Sequence, residues 1–250
     1  MATINHVNLN NPPVEHSVQF INEEDFLPIK SNNEKMNTNI EDYDFKCQIL
    51  IEFLTKSPLA QALTKTKEVP VKIIQQLVNT LNKTGTNELQ AHLWGDMFIT
   101  ITPEKIRESL ELPASEHYDH VPTKDDMLQQ LDAVMGYQMK VSKIGDFKRN
   151  KLPAFWQVMM ETLNRCISSK IGGVDQINTN VLTIMFCLIT GMNIDYGTEI
   201  FKLMRRSVLT KDGRVKSHLP FPRFWSILIC DTFLKGMLTS LHQKTCGKLK

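Results

Sequence analysis

From residue 43 onward, apolar residues recur at steps of three and four, the spacing of one helix face, and a single stretch alternates instead. Phe45, Ile49, Leu50, Phe53 and Leu54 predict a helix that ends near Ser57-Pro58, because a residue before proline is biased away from helical angles. Pro70 opens a second helix carrying Val71, Ile74, Leu77, Val78 and Leu81, which stops around Thr84-Gly85. Thr102-Pro103-Glu104 is a helix start of the cap-then-proline kind, followed by Ile106, Leu110 and Leu112 up to Pro113. Thr123-x-x-Asp126 reads as an acidic capping box leading into Met127, Leu128, Leu131, Val134 and Met135, with Gly136 as the stop.

The stretch from Leu152 to Leu209 reads as three helices with two breaks. Pro153 suits a first helical position, and Phe155, Met159, Leu163, Cys166 and Ile167 form one face after it. Gly172-Gly173 is the expected stop. Capping side chains between Asp175 and Asn180 precede the apolar run Val181 to Ile189, and Asp195 is the expected N-cap of a helix with Tyr196, Ile200, Leu203, Met204 and Val208 on its apolar stripe. Pro220 and Pro222 lead into a last helix through Phe224, Trp225, Leu228, Ile229, Phe233, Met237 and Leu241. The alternating stretch is Leu89, Ala91, Leu93 and then Phe98 to Ile101; with Gly95-Asp96 as a tight turn it predicts a small hairpin. Residues 1–40 hold nine Asn and a Pro-Pro pair without sustained periodicity, which predicts a disordered leader. The expected fold is therefore mainly α, a multi-helix globular domain with one small β-hairpin and a disordered N-terminal leader. Its segments are the leader (1–40), a helical subdomain with the hairpin (41–137), a connector (138–151), a second helical subdomain (152–242) and a frayed tail (243–250).

Charge divides these segments. Residues 1–40 hold 2 Lys/Arg against 5 Asp/Glu, residues 41–139 hold 9 against 15, and residues 140–250 hold 18 against 7, within a whole-chain net of +2. The basic half fits an anionic partner, RNA or DNA; opposite-signed halves pairing within or between chains fits equally. Two basic runs are candidates for contacting a phosphate backbone: Lys140, Lys143, Lys148, Arg149 and Lys151 in the connector, and Lys202, Arg205, Arg206, Lys211, Arg214 and Lys216 further on. No base-reading motif accompanies them, so the expected selectivity is weak. Phe155, Phe221 and Trp225 have aromatic faces for stacking, but their helical spacing among Leu and Ile marks them as core.

The sequence lacks the usual patterns of metal binding and catalysis. No cysteine pair has zinc-knuckle spacing, and Cys230, His242 and Cys246 place their first member on an apolar stripe. His117 and His120 fall in a polar loop. Cys166 and Cys187 sit on apolar faces, where a thiol behaves as a small hydrophobe. Neither a nucleophile elbow nor a phosphate-binding glycine loop occurs. The expectation is a non-enzyme with no metal and no cofactor. No apolar run approaches the ~18 residues of a membrane span, the polar N-terminus lacks a signal-peptide core, and five irregularly spaced cysteines fit a reducing compartment, so the chain is expected in the cytoplasm or nucleus.

The string LNRCISSKIGGVDQINTNVLTIMFCLITGMNIDYGTEIF, Leu163 to Phe201, resembles the plant transposon protein domain of Athila-like and related retrotransposons. The order Lys65-Thr66-Lys67-Glu68-Val69-Pro70, Phe98-Ile99-Thr100-Ile101-Thr102-Pro103 and Leu110-Glu111-Leu112-Pro113 extends the resemblance over residues 43–241. It implies a retrotransposon origin and a structural, gag-like or accessory role, with nucleic acid, other copies of itself or other transposon-encoded proteins as partners. It supplies no catalytic residues. A degenerate remnant without a role, and a protein-interaction or assembly module, are the alternatives.

Overall fold

The computed structural model describes residues 21–29, 33–94, 97–168, 177–209 and 218–234. Most of its described helices begin where a side chain meets the N–H groups that a helix cannot pair internally, and others begin at or just after a proline. Asp44 accepts from the Cys47 amide at the head of α1 (Phe45–Lys56), and a short α2 (Ala60–Thr64) follows the Ser57-Pro58 break. Helix α3 (Val71–Asn79) starts behind Pro70. Thr102 caps α4 (Pro103–Ser109), which ends earlier than Pro113 because Leu110 and Glu111 leave helical geometry, Glu111 at φ 51°. In α5 (Lys124–Met135) both halves of the Thr123–Asp126 capping box are formed, and Gly136 closes the helix at φ 61°, a left-handed value that suits glycine.

Three long helices follow. Helix α6 (Ala154–Ile167) has Pro153 as its cap and passes into extended backbone at Ser168. The helix thus stops before Gly172-Gly173, which lie outside the described residues. Asn178 caps α7 (Thr179–Thr190), and Asp195 caps α8 (Tyr196–Val208) by accepting from the Thr198 amide. Helix α9 (Pro222–Ile229) runs into a π-helical turn at Cys230–Leu234; Met237 and Leu241, expected on its stripe, lie outside the described residues.

The hairpin is present and carries an extra strand. Strands β1 (Asn82–Lys83), β2 (Leu89–Trp94) and β3 (Met97–Ile101) form an antiparallel sheet in that order. Leu89 faces Ile101 and Ala91 faces Ile99 across β2 and β3, and all four are buried, whereas His92 and Phe98 face solvent. A two-residue strand has no periodicity to read, so β1 looked like the end of α3. The Thr80 hydroxyl continues its pairing, donating to the His92 carbonyl at 2.6 Å and accepting from the His92 amide at 2.9 Å. The expected Gly95-Asp96 turn lies outside the described residues.

The expected leader needs a correction in its second half. Residues 21–29 and 33–40 are pinned to the helices: the buried Gln75 side chain accepts from the Leu27 amide and donates to the Leu27 carbonyl, Ile29 bridges Leu219, and Met36 is 3% exposed. The attachment runs through backbone groups and side-chain amides, which leave no apolar period in the sequence. One cluster of buried apolar side chains runs from Met36 to Ile229, and elements of the acidic and basic stretches interleave in it. Helices α1 and α2 pack on α6, α5 on α7, α4 along α8 and α9, and α3 against α9 and β2.

Candidate nucleic-acid interface

The eleven candidate cations fall into three groups. Lys211, Arg214 and Lys216 lie outside the described residues. Each cation of α8 makes a hydrogen bond within the protein. Glu199, 2% exposed in the first turns of that helix, accepts from Lys202 Nζ at 2.6 Å and from Asn180 Nδ2 at 2.7 Å. Arg206 donates to Asn180 Oδ1 at 2.7 Å, and Arg205 donates to the Thr86 carbonyl ahead of β2. A charge-assisted hydrogen bond made this way tethers the start of α7 and the β1–β2 loop to α8. Lys202, with 45% of its side chain accessible, and Arg206 keep exposed surface on that helix, while Arg205 is half-buried.

The connector is different. It crosses from α5 to α6 as two 3-10 turns, Ile144–Asp146 and Arg149–Lys151, anchored by Tyr137 stacked on Phe147 at 4.7 Å and by the Tyr137 hydroxyl, which accepts from the Lys148 amide at 2.7 Å. Lys140, Lys143 and Lys148 are exposed and Lys151 is half-buried. Among the described residues no ion pair involves Lys140, Lys148 or Lys151, and Lys143 meets Asp146 only at 4.0 Å with three quarters of its side chain in water. Arg149 turns inward to Glu161 at 2.9 Å. Phe221 and Trp225 are wholly buried and Phe155 half-buried, so stacking on bases has no open platform there.

Two inward cations escaped the sequence reading. Arg223, 8% exposed in α9, donates from Nε to the Asn33 carbonyl (3.0 Å), from Nη1 to that of Lys65 (2.6 Å) and from Nη2 to those of Ala62 (2.7 Å) and Cys166 (2.9 Å). Those carbonyls include the unpaired C-terminal ends of α2 and α6, where helix dipoles favour a cation. Burial pulls the guanidinium down to about 10, which leaves it charged at neutral pH. Asn33 and Phe221, both at positive φ (66° and 56°), complete this junction, and the Asn33 side chain donates to the Cys166 carbonyl and accepts from the Phe224 amide. Lys65 does the same for α4, donating to the Ser109 carbonyl and to Glu111 and Asp231. A lone Arg inside the apolar run Pro222 to Ile229 was the available signal for the first of these.

A shallow cleft of about 290 Å³ opens between residues 34–37, Tyr43 and α6. Its rim mixes Glu34 and Glu161 with Lys35 and Arg165, and Glu161 is already bridged by Arg149 and Arg165. Burial pushes the Cys166 thiol at its edge up to about 11 and the Cys187 thiol up to about 12, so neither is a thiolate nucleophile at neutral pH. Among the described residues no group of three or more His, Cys, Asp or Glu is placed to hold a metal ion. His117 and His120 are exposed in a loop that Asn193 fastens to the α7–α8 turn, through Ser115, His117 and Asp119. No helix among the described residues is long and apolar enough to cross a membrane.

No family model, no curated protein and no solved structure matches the chain.

Proposed function

We propose that the chain is a non-catalytic module that holds the phosphate backbone of RNA or DNA through the 138–151 connector, as a structural, gag-like protein of a plant retrotransposon would. The observation that carries this reading is the connector set Lys140, Lys143 and Lys148, exposed ahead of and between the two 3-10 turns, with half-buried Lys151 ending the second turn and Asp146 as the connector's single acid. The resemblance of Leu163 to Phe201 to the retrotransposon domain supports the ancestry, and such a module acts inside the cell, in the cytoplasm or nucleus. The α8 cations contribute less, because each is held by a hydrogen bond within the protein, to Glu199, Asn180 or Thr86. Each phosphate neutralised adds about 0.9 to the slope of log K against log salt, so four lysines give a slope of about −3 to −4, against about −9 for ten cations.

Fluorescence anisotropy with a generic oligonucleotide, repeated across a potassium chloride series, tests the reading. The expected result is sequence-tolerant binding with that slope, lost when Lys140, Lys143, Lys148 and Lys151 are together changed to Gln. Absence of binding at low salt, or a quadruple variant that binds as the parent does, refutes it.

A further inference from the structure

Helix α1 carries its own unused surface. Leu50, Ile51 and Leu54 turn into the core at 0–1% exposure, while Phe45, Ile49 and Phe53 are exposed at 76%, 54% and 40%. These three are spaced four residues apart, so they stack along the outer side of the helix over about 12 Å. Large apolar side chains in water singly are ordinary; three in a row on one helix face form a contiguous patch of the kind that is often functional.

We propose that this stripe is the contact between two copies of the chain, with α1 antiparallel to α1 of the second copy. The pattern is its own complement. Reading Phe-x-x-x-Ile-x-x-x-Phe in either direction gives the same order, so a two-fold axis at Ile49 sets each Phe45 beside the other copy's Phe53, and Ile49 against its equivalent. A two-fold contact needs such a self-matching patch. Charge favours the antiparallel sense: Glu41, Asp42 and Asp44 outnumber Lys46 at the leading end of the helix, whereas Glu52 and Lys56 balance each other at the trailing end, 3.8 Å apart with 59% and 78% of their side chains exposed. Antiparallel pairing sets each acidic end against a balanced one, and parallel pairing would set the two acidic ends together. At about 150–250 Å² for a large aromatic side chain, the exposed fractions amount to roughly 300–400 Å² per copy. That is less than half of the ~800 Å² per partner of a standard interface, so the dimer is a weak one that forms as concentration rises. The stripe is separate from the connector, and the two readings stand or fall independently.

Sedimentation velocity on the full chain at increasing protein concentration, with Ile49→Asp and Ile49→Cys alongside, tests the proposal. The parent's weight-average mass should climb from monomer toward dimer. Ile49→Asp, which sets two acids face to face at the axis, should stay monomeric with an unchanged melting temperature, because residue 49 is already half in water. Ile49→Cys should give a disulfide-linked dimer under mild oxidation at a yield above that of the parent's own cysteines. A parent monomeric throughout, as when another protein or another segment of the chain covers the stripe, overturns the proposal. So does an Ile49→Asp variant that dimerises like the parent, or an Ile49→Cys variant with no added cross-link.

Discussion

Gly197 sits in the first turn of α8 where that helix presses on α4, and changing it to Ala sets two physical effects against each other. Helix propensity favours the change by about 1 kcal/mol, since glycine in a helix interior loses more backbone freedom on folding than alanine. Packing opposes it. A Cβ at residue 197 would meet the Pro103 carbonyl oxygen at 2.9 Å, Arg107 Cβ at 3.0 Å and Asp195 Oδ1 at 3.2 Å. The nearest of these is backbone, which cannot swing aside, so α4 and α8 must separate by some tenths of an ångström. That movement also stretches the Arg107–Asp195 bridge, now 2.7 Å. Overpacking of a tight contact costs about 1–3 kcal/mol and here exceeds the propensity gain, for a net loss of up to about 2 kcal/mol. At about 2–4 °C per kcal/mol for a chain of this size, the melting temperature should fall by up to about 8 °C. Thermal and urea unfolding followed by circular dichroism measure it. Gly145→Ala, whose added Cβ meets nothing within 4 Å, is the control and should shift the midpoint little. A Gly197→Ala variant that melts higher than the parent would refute the argument, because propensity alone predicts that direction.

Arg223→Met leaves the Asn33, Ala62, Lys65 and Cys166 carbonyls without their donor and should cost about 3–5 kcal/mol in urea unfolding, with Arg223→Lys recovering only part because one ammonium cannot span four carbonyls. Burial would raise the Asp195 carboxyl, but hydrogen bonds from Arg107 and Thr198 outweigh it and hold the group below the ordinary carboxylate range. A depressed folded value stabilises above the unfolded pKa of about 3.9 and is lost as pH falls through the folded one. Asp195→Asn, which keeps a capping side chain, should therefore lie below the parent in stability by a constant amount above about pH 5, and the gap should close toward strong acid. Asn164 in α6 is 5% exposed, and neither polar atom of its side chain has a hydrogen-bond partner; Asn164→Leu should raise the urea midpoint by about 1–2 kcal/mol equivalent. In the native protein iodoacetamide should label Cys47 well before Cys166 and Cys187, as read by peptide mass spectrometry; equal rates would mean that α6 and α7 open readily.

What the sequence makes visible is whatever repeats or caps. Asp44, Thr102, Thr123, Asn178 and Asp195 are short polar side chains ahead of apolar runs, and each caps the helix it precedes. The alternation of Leu89, Ala91, Ile99 and Ile101 similarly names the buried face of the sheet. Invisible are attachments made by single polar groups across long separations. Gln75 to Leu27, Arg223 to Asn33 and Lys65 to Asp231 each join positions dozens of residues apart without any periodic trace. The basic runs show the same limit from the other side. Clustering in sequence grouped Lys202, Arg205 and Arg206 with the connector lysines, yet hydrogen bonds to Glu199, Thr86 and Asn180 turn the former into fasteners. Only coordinates separate a charge that is spent from one that is available.

The Arg223 junction ties residue 33 to residues 62, 65 and 166 through a side chain that the ribosome delivers after all of them. Contacts of such long sequence separation are slow to form and cannot be rehearsed by a shorter piece of the chain. Any nascent or cleaved fragment stopping before residue 223 would leave two helix ends and the strand-like segment at 33–36 without their common clasp. Such a fragment should be cut by proteases faster than a chain that carries α9 and its arginine.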